Sequence, residues 1–570
     1  MRNTFYILLL LLLSSCGNDT QNKESSYDPY DYQIIKQHNF SNAAVSSAHP
    51  LASLVGKEIL AKGGNAIDAA IAVQYALAVV YPNAGNIGGG GFMVVHTKDG
   101  ESATIDFREK APAAAFRDMY LDSEGNPIDT KSRDGHLAAG VPGTVKGMEL
   151  AHEMFGSLDF KELIQPAIDL AEHGFAITAR EARGLNRNKK DFQKYSTEPS
   201  AFVKESKWEE QDTLLQSDLA STLRRIQDQG AKGFYEGETA DLIVQEMERG
   251  GGIISLEDLK SYEAVVRDPV VFDYKDYQII SMGLPSSGGI LLQQMLRQLE
   301  EYPISEYGFQ SKESVQLMVE IERRAYADRA LYLGDADFVD VPVEALTNKE
   351  YLLSRMEDFT PLKASKSEDI EAGEVLLPTK EETTHFSIAD ELGNVVSLTT
   401  TINGAYGNRV VVGGAGFLLN NEMDDFSAKP GSPNKFGLLG AEANAIEPGK
   451  RMLSAMTPTV VLKDGKPLMV VGTPGGSTII TSVFQTLVNV LEFGLSPAEA
   501  VNSPKFHHQW KPDVIYVEKD YPKPLIAELE EMGYEFKERI PIGRTEVLML
   551  EEGYINAVAD KRGDDGVAGY

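Results

Sequence analysis

The chain has 570 residues, with 54 Lys and Arg against 85 Asp and Glu, a formal charge of −31 at pH 7. That balance excludes a nucleic-acid binder, which needs a basic face to displace counterions from phosphate. Hydrophobic residues make up 42% of the chain, enough for one large core or two, and the single cysteine excludes an internal disulfide or a Cys-based zinc or iron–sulfur site. Fifty-one glycines without a repeating period indicate a turn-rich globular enzyme rather than a fibre.

The N-terminus reads Met1-Arg2-Asn3-Thr4-Phe5-Tyr6 and then runs apolar over 7–13. A basic start before a short apolar run is a secretory signal, too short for a lasting membrane span. It ends in Leu13-Ser14-Ser15-Cys16, which resembles a bacterial lipobox. Cys16 is then the expected lipidation site, anchoring the mature chain to an envelope membrane that it does not cross, facing the periplasm or the exterior. Residues 17–32 are polar and read as a tether. From Val45 to Leu331 helical and strand-like patterns alternate. The Ala-rich stretch 66–80 predicts a helix, with Asn65 as its cap and Asp68 as the capping-box partner. Gly88 to Gly91 follow, then a strand over 92–95. The glycine run lacks a following Lys-Ser/Thr, so it predicts close backbone packing between helix and strand rather than a phosphate loop. Residues 181–212 predict a charged, exposed helical segment. Residues 365–382 have no apolar periodicity and predict a mobile connection.

Familiar catalytic signatures are missing: there is no G-x-S-x-G elbow and no H-E-x-x-H zinc helix. His507-His508 would point to opposite faces of an extended strand, so a structural role is expected for them. The informative stretch begins at Thr383-Thr384-His385-Phe386-Ser387. It alternates as a strand, turns at Glu391-Leu392-Gly393-Asn394 and returns through Val395 to Thr401. Pairing symmetrical about Leu392 sets Thr401 opposite Thr383, within reach of a hydroxyl–hydroxyl contact.

Thr383-Thr384-His385-Phe386-Ser387 resembles the start of the small subunit of bacterial γ-glutamyltransferases. Further matching motifs are Asn65-Ala66-Ile67-Asp68, Asp106-Phe107-Arg108-Glu109, Pro285-Ser286-Ser287-Gly288-Gly289, Asn420-Asn421-Glu422-Met423-Asp424-Asp425-Phe426 and Gly472-Thr473-Pro474-Gly475-Gly476-Ser477. The resemblance implies an α+β fold, the four-layer αββα sandwich of the N-terminal-nucleophile hydrolases. One precursor would cut itself between Glu382 and Thr383 into a large subunit, 33–382, and a small subunit, 383–570, that stay paired as a heterodimer. Thr383 would be the nucleophile, with its freed α-amine as base; that amine's reference pKa near 8 leaves a useful neutral fraction. Thr401 would orient the Thr383 hydroxyl, and Gly475 and Gly476 would supply the oxyanion amides.

The implied reaction cleaves the γ-amide of glutathione and related compounds through a γ-glutamyl ester. The acyl group then passes to water or to an amino-acid or dipeptide acceptor, with no cofactor or metal needed. Arg108, supported by Ser454, would hold the donor's α-carboxylate; Asn403, Glu422 and Asp425 would hold its α-ammonium. Taken alone, Arg108 reads as a surface ion pair and Asp425 as a solvated turn residue. Three departures stand out from the family pattern: Ala455 replaces a second adjacent serine, Glu422 stands where several relatives have Gln, and the lid-like segment 430–436 carries Phe436 for a common Tyr. Alternative readings are a cephalosporin-acylase-like or poly-γ-glutamate-processing enzyme, and a non-catalytic γ-glutamyl-binding lipoprotein.

Overall fold

The computed structural model describes residues 27–371, 382–429, 442–539 and 541–570. Two seven-stranded sheets form its centre. The first runs Gln37–Phe40, Tyr554–Val558, Glu546–Glu551, Lys466–Gly472, Thr459–Lys463, Tyr277–Ser281, Val270–Tyr274; the second runs Gly566–Gly569, Ala44–Ser47, Glu382–Ala389, Val395–Asn403, Gly90–His96, Ser102–Asp106, Val265–Arg267. Neighbouring strands pair antiparallel throughout both sheets.

Alternation along the strands makes four layers. In Thr459–Lys463 and Lys466–Gly472, Val460, Leu462 and Val470 face inward and meet Phe92, Val94 and Val395 of the second sheet. Val461, Met469 and Val471 face outward, under helices Gly288–Leu299, Lys312–Tyr332 and Thr478–Leu491. On the second sheet Phe386, Ile388, Val396 and Leu398 face outward, under helices Pro50–Ala61 and Ala66–Val80. The result is the αββα sandwich that the resemblance implies. Among the described residues no helix is long and apolar enough to cross a membrane.

The helix at Ala66–Val80 has the expected capping box of Asn65 and Asp68, and every residue of it is buried. Asp390 joins that helix to the hairpin. Its carboxylate accepts the Leu392 and Asn394 amides of the turn at 2.9 Å each, and the Ala66 amide at 2.9 Å. A carboxylate at a helix N-terminus is favoured electrostatically.

Four expectations change. Residues 27–32 dock rather than tether: Tyr30 donates to the His173 carbonyl and Tyr32 to the Ala176 carbonyl. Within 181–212 the helix is Ala179–Tyr195 and it is not wholly exposed, because Phe192, Phe202 and Trp208 enter the core. Residues 365–370 are held, with Trp510 Nε1 donating to the carbonyls of Ser367 and Ile370 at 2.9 and 2.7 Å. The glycine run packs against loops and strands rather than a helix. A Cβ on Gly88 would lie 2.2 Å from the Leu418 carbonyl, and one on Gly89 2.0 Å from that of Thr401. Cys16, the lid-like segment 430–436 and most of the connection before Glu382 lie outside the described residues.

Candidate active site

Strand Val395–Asn403 lies between Glu382–Ala389 and Gly90–His96. The hairpin register is the symmetrical one: Thr383 faces Thr401, His385 faces Thr399 and Ala389 faces Val395, with an irregularity between Glu382 and Thr383. Odd-numbered residues of this hairpin point between the sheets, so Thr383 is 3% exposed and Thr401 is fully buried. Among the described residues Thr383 Oγ1 has no hydrogen-bond partner. A buried, unsatisfied hydroxyl is costly to keep, and a reacting role is one accepted reason for keeping it.

Thr401 Oγ1 accepts the Asn403 amide at 2.7 Å. The amide folds back because Asn403 is left-handed, with φ +65°, a conformation Asn tolerates better than most residues. The Asn403 side chain holds that geometry by donating to the Asn421 carbonyl at 2.9 Å and to Asp425 Oδ1 at 3.1 Å. Next along the inward face, His385 Nδ1 lies 2.9 Å from Thr399 Oγ1 and Nε2 lies 3.0 Å from Ser387 Oγ. Burial drives the His385 pKa down to about 3, so the imidazole is neutral at working pH.

Thr401 pairs with Gly90, and a Cβ there would lie 2.5 Å from the Phe107 carbonyl and 2.6 Å from Glu109 Oε2. That close approach brings Arg108 to the hairpin. The Arg108 guanidinium is fully buried and donates to both Glu422 and Asp425. Its Nε reaches the Met452 carbonyl at 3.3 Å, and Glu109 lies 3.7 Å from Nη1. One guanidinium thus meets three fully buried carboxylates. Asn444 ties the cluster to the Ser454 loop, donating to the Asp425 carbonyl at 2.7 Å and accepting the Leu453 amide at 2.9 Å. Ser454 Oγ accepts the Met456 amide at 3.1 Å, whereas Ala455 packs into the core beneath the first sheet.

Gly475 and Gly476 follow strand Lys466–Gly472 and precede helix Thr478–Leu491. Gly472 lies flat on His385, since a Cβ there would sit 2.3 Å from Cε1. The glycine turn therefore leaves the sheet beside the face that carries Thr383. Among the described residues neither glycine amide donates to a protein acceptor. A helix N-terminus with open amides suits a developing oxyanion.

Residues 52–570 match the model of the gamma-glutamyltranspeptidase family. The chain belongs to that family. It is 47% identical over 530 residues to the glutathione hydrolase proenzyme of Escherichia coli (strain K12), covering 92% of this chain and 91% of the relative. The γ-glutamyltranspeptidase of Helicobacter pylori is 46% identical with a TM-score of 0.57, over 60% of this chain and 97% of that one. A cephalosporin acylase from Bacillus halodurans has a TM-score of 0.81 at 25% identity, over 96% of this chain and 98% of that one.

In this γ-glutamyltranspeptidase family member, Thr383, Thr401, Asn403, Arg108, Glu422 and Asp425 come together around one hairpin end. Arg108 and Asp425 are neither a surface pair nor a solvated turn. Ala455 points away from the cluster, and Glu382 is placed at the strand's start. His507 and His508 are structural: His507 bonds Thr481 and Gln509, and His508 faces Asp513. Sequence reasoning missed Glu109 and Asn444. Glu109 lies in the Asp106-Phe107-Arg108-Glu109 stretch, so adjacency to Arg108 was the available signal; Asn444 gave none.

Proposed function

We propose that this chain is a self-processing γ-glutamyltransferase and glutathione hydrolase, and the observation that carries the reading is the buried Thr383 hydroxyl opposite Thr401 beside the Arg108 cluster. The Thr383 hydroxyl attacks the Glu382 carbonyl, giving an ester that water opens. This frees the Thr383 amine, a base on the same residue as the nucleophile. In turnover Thr383 Oγ1 attacks the donor's γ-carbonyl, and the Gly475 and Gly476 amides receive the oxyanion. The tetrahedral species collapses to a γ-glutamyl ester as the amine leaves with the proton. Water or an amino-acid or peptide amine then takes the acyl group.

The donor's end is a zwitterion, and the site holds both signs of charge. Without substrate, Arg108 pairs with Glu422 and Asp425. A γ-glutamyl α-carboxylate takes a bidentate place on Arg108, and the α-ammonium takes the carboxylates released from it. The exchange trades Arg108's internal carboxylate contacts for one pairing with the donor's carboxylate and one with its ammonium. Glu422, in place of a neutral Gln, favours the ammonium. An acylase lacking a zwitterionic donor has no use for such a cluster, which disfavours the cephalosporin-acylase-like reading.

Hydrolysis of γ-glutamyl-p-nitroanilide and of glutathione tests the assignment, with an acceptor dipeptide separating transfer from hydrolysis. A processed, folded protein that releases no product from either donor contradicts it. We also propose lipid attachment at Cys16 on an envelope membrane; its support is the basic start, apolar run and lipobox. Cys16→Ser should move the protein from the membrane pellet to the soluble fraction. A wild-type chain found soluble, without added lipid mass, contradicts the anchor.

A further inference from the structure

The two amides assigned to the oxyanion lie on weakly restrained backbone. Gly475 and Gly476 have φ of +140° and +67°, and glycine has no Cβ to bias rotation of the peptides around it. Pro474 fixes its own φ but not the rotation that turns the Pro474–Gly475 plane. An oxyanion donor works by being aimed before charge develops, so something else must hold these planes.

In a planar trans peptide the carbonyl and the following N–H point in opposite directions, and fixing one aims the other. The Pro474 carbonyl, in one peptide with the Gly475 N–H, accepts from Thr473 Oγ1 at 2.9 Å. The Gly475 carbonyl, in one peptide with the Gly476 N–H, accepts from Thr478 Oγ1 at 2.7 Å and from the Thr478 amide at 3.3 Å. Both threonines are fully buried. Thr473 is itself fixed, its Oγ1 accepting the Arg544 amide at 2.7 Å. Gly543 closes the rear: a Cβ on Gly475 would lie 3.3 Å from the Gly543 Cα and 2.5 Å from Thr478 Oγ1.

We propose that Thr473 and Thr478 are positioning residues, each hydroxyl aiming one oxyanion amide through the carbonyl of the same peptide. The proposal rests on the reading of Thr383 as nucleophile and of Gly475 and Gly476 as donors. Neither threonine touches the reacting atoms; each acts through a glycine N–H.

The test compares Thr473→Val and Thr478→Val, which keep shape and lose the hydroxyl, with Thr473→Ser and Thr478→Ser, which keep it. Rates of γ-glutamyl-p-nitroanilide hydrolysis are normalised to processed small subunit on a denaturing gel, and thermal midpoints are recorded. Wild type comes first: if processed wild type is inactive, the underlying reading fails before this one is reached. With active wild type, each Val variant should lose about tenfold or more in kcat with little change in KM, because a misaimed donor weakens the transition state and not donor binding. The double Val variant should fall further, and the Ser variants should keep most of the wild-type kcat. Thr473→Val also leaves the Arg544 amide unpaired, so if it fails to fold Thr478→Val decides alone. Folded Val variants with wild-type kcat, Ser variants that lose as much as Val, or a loss confined to KM would each overturn the proposal.

Discussion

Arg108 shows how far a residue's role is set by what surrounds it. One guanidinium lies against Glu422, Asp425 and Glu109, all fully buried. Arg108→Lys keeps the charge but loses the planar fork, and should raise KM for a γ-glutamyl donor by about tenfold or more. Measured beside a donor lacking the α-carboxylate, the penalty should shrink; an equal penalty on both would place the lost contact elsewhere. Removing the charge with Arg108→Gln leaves buried carboxylates uncompensated, which costs about 3–5 kcal/mol of stability, so Lys is the cleaner probe. The motif named Arg108 from the sequence, but not its pairing with Glu422 and Asp425. That pairing joins segments more than 300 residues apart, and local pattern carries no such information.

At the scale of elements, the hairpin 382–403 was legible because a short turn between two alternating strands leaves one symmetrical register. Its fixing by Asp390, which also holds the Ala66–Val80 helix, was not legible, nor was Trp510 holding residues 365–370, since both reach across the fold. The glycine run was legible as close packing but not in its partners. Gly89→Ala would drive a Cβ to 2.0 Å from the Thr401 carbonyl, and Gly90→Ala would drive one to 2.5 Å from that of Phe107. Each should displace the hairpin end or prevent folding. The Gly100→Ala control lies in open space, though its left-handed φ carries a small strain of its own. Soluble yield and processing on a denaturing gel decide this. Normal processing in Gly89→Ala would mean that the strands part more easily than the packing implies.

The whole molecule explains how a chain cut once in the middle can stay together. Both sheets contain strands from before and after Thr383, and Glu382–Ala389 itself lies between Ala44–Ser47 and Val395–Asn403. The two products should co-elute on gel filtration without denaturant and separate only in it; separate elution under native conditions would contradict this packing. Buried histidines add a pH dependence, three of them strongly. Burial lowers His385 and His507 to about 3 and His508 to about 4 from an ordinary 6.5. Below 6.5 the unfolded chain binds protons that the fold refuses, so their contribution is complete above pH 6.5 and lost as pH falls towards 3. Glu322 and Glu546, raised by burial, act in the opposite sense, so the informative quantity is a difference between variants. The urea midpoint of His385→Asn should fall less steeply than wild type between pH 7 and pH 4.5; parallel curves would mean that His385 protonates in the fold. Thr383 as both the cutting and the reacting residue is tested by the intact mass of the purified protein beside Thr383→Ala. Two wild-type chains are expected, the smaller beginning at Thr383, and one uncut chain in the variant. A folded wild type that stays in one piece, or a Thr383→Ala protein cut at the same bond, would contradict it.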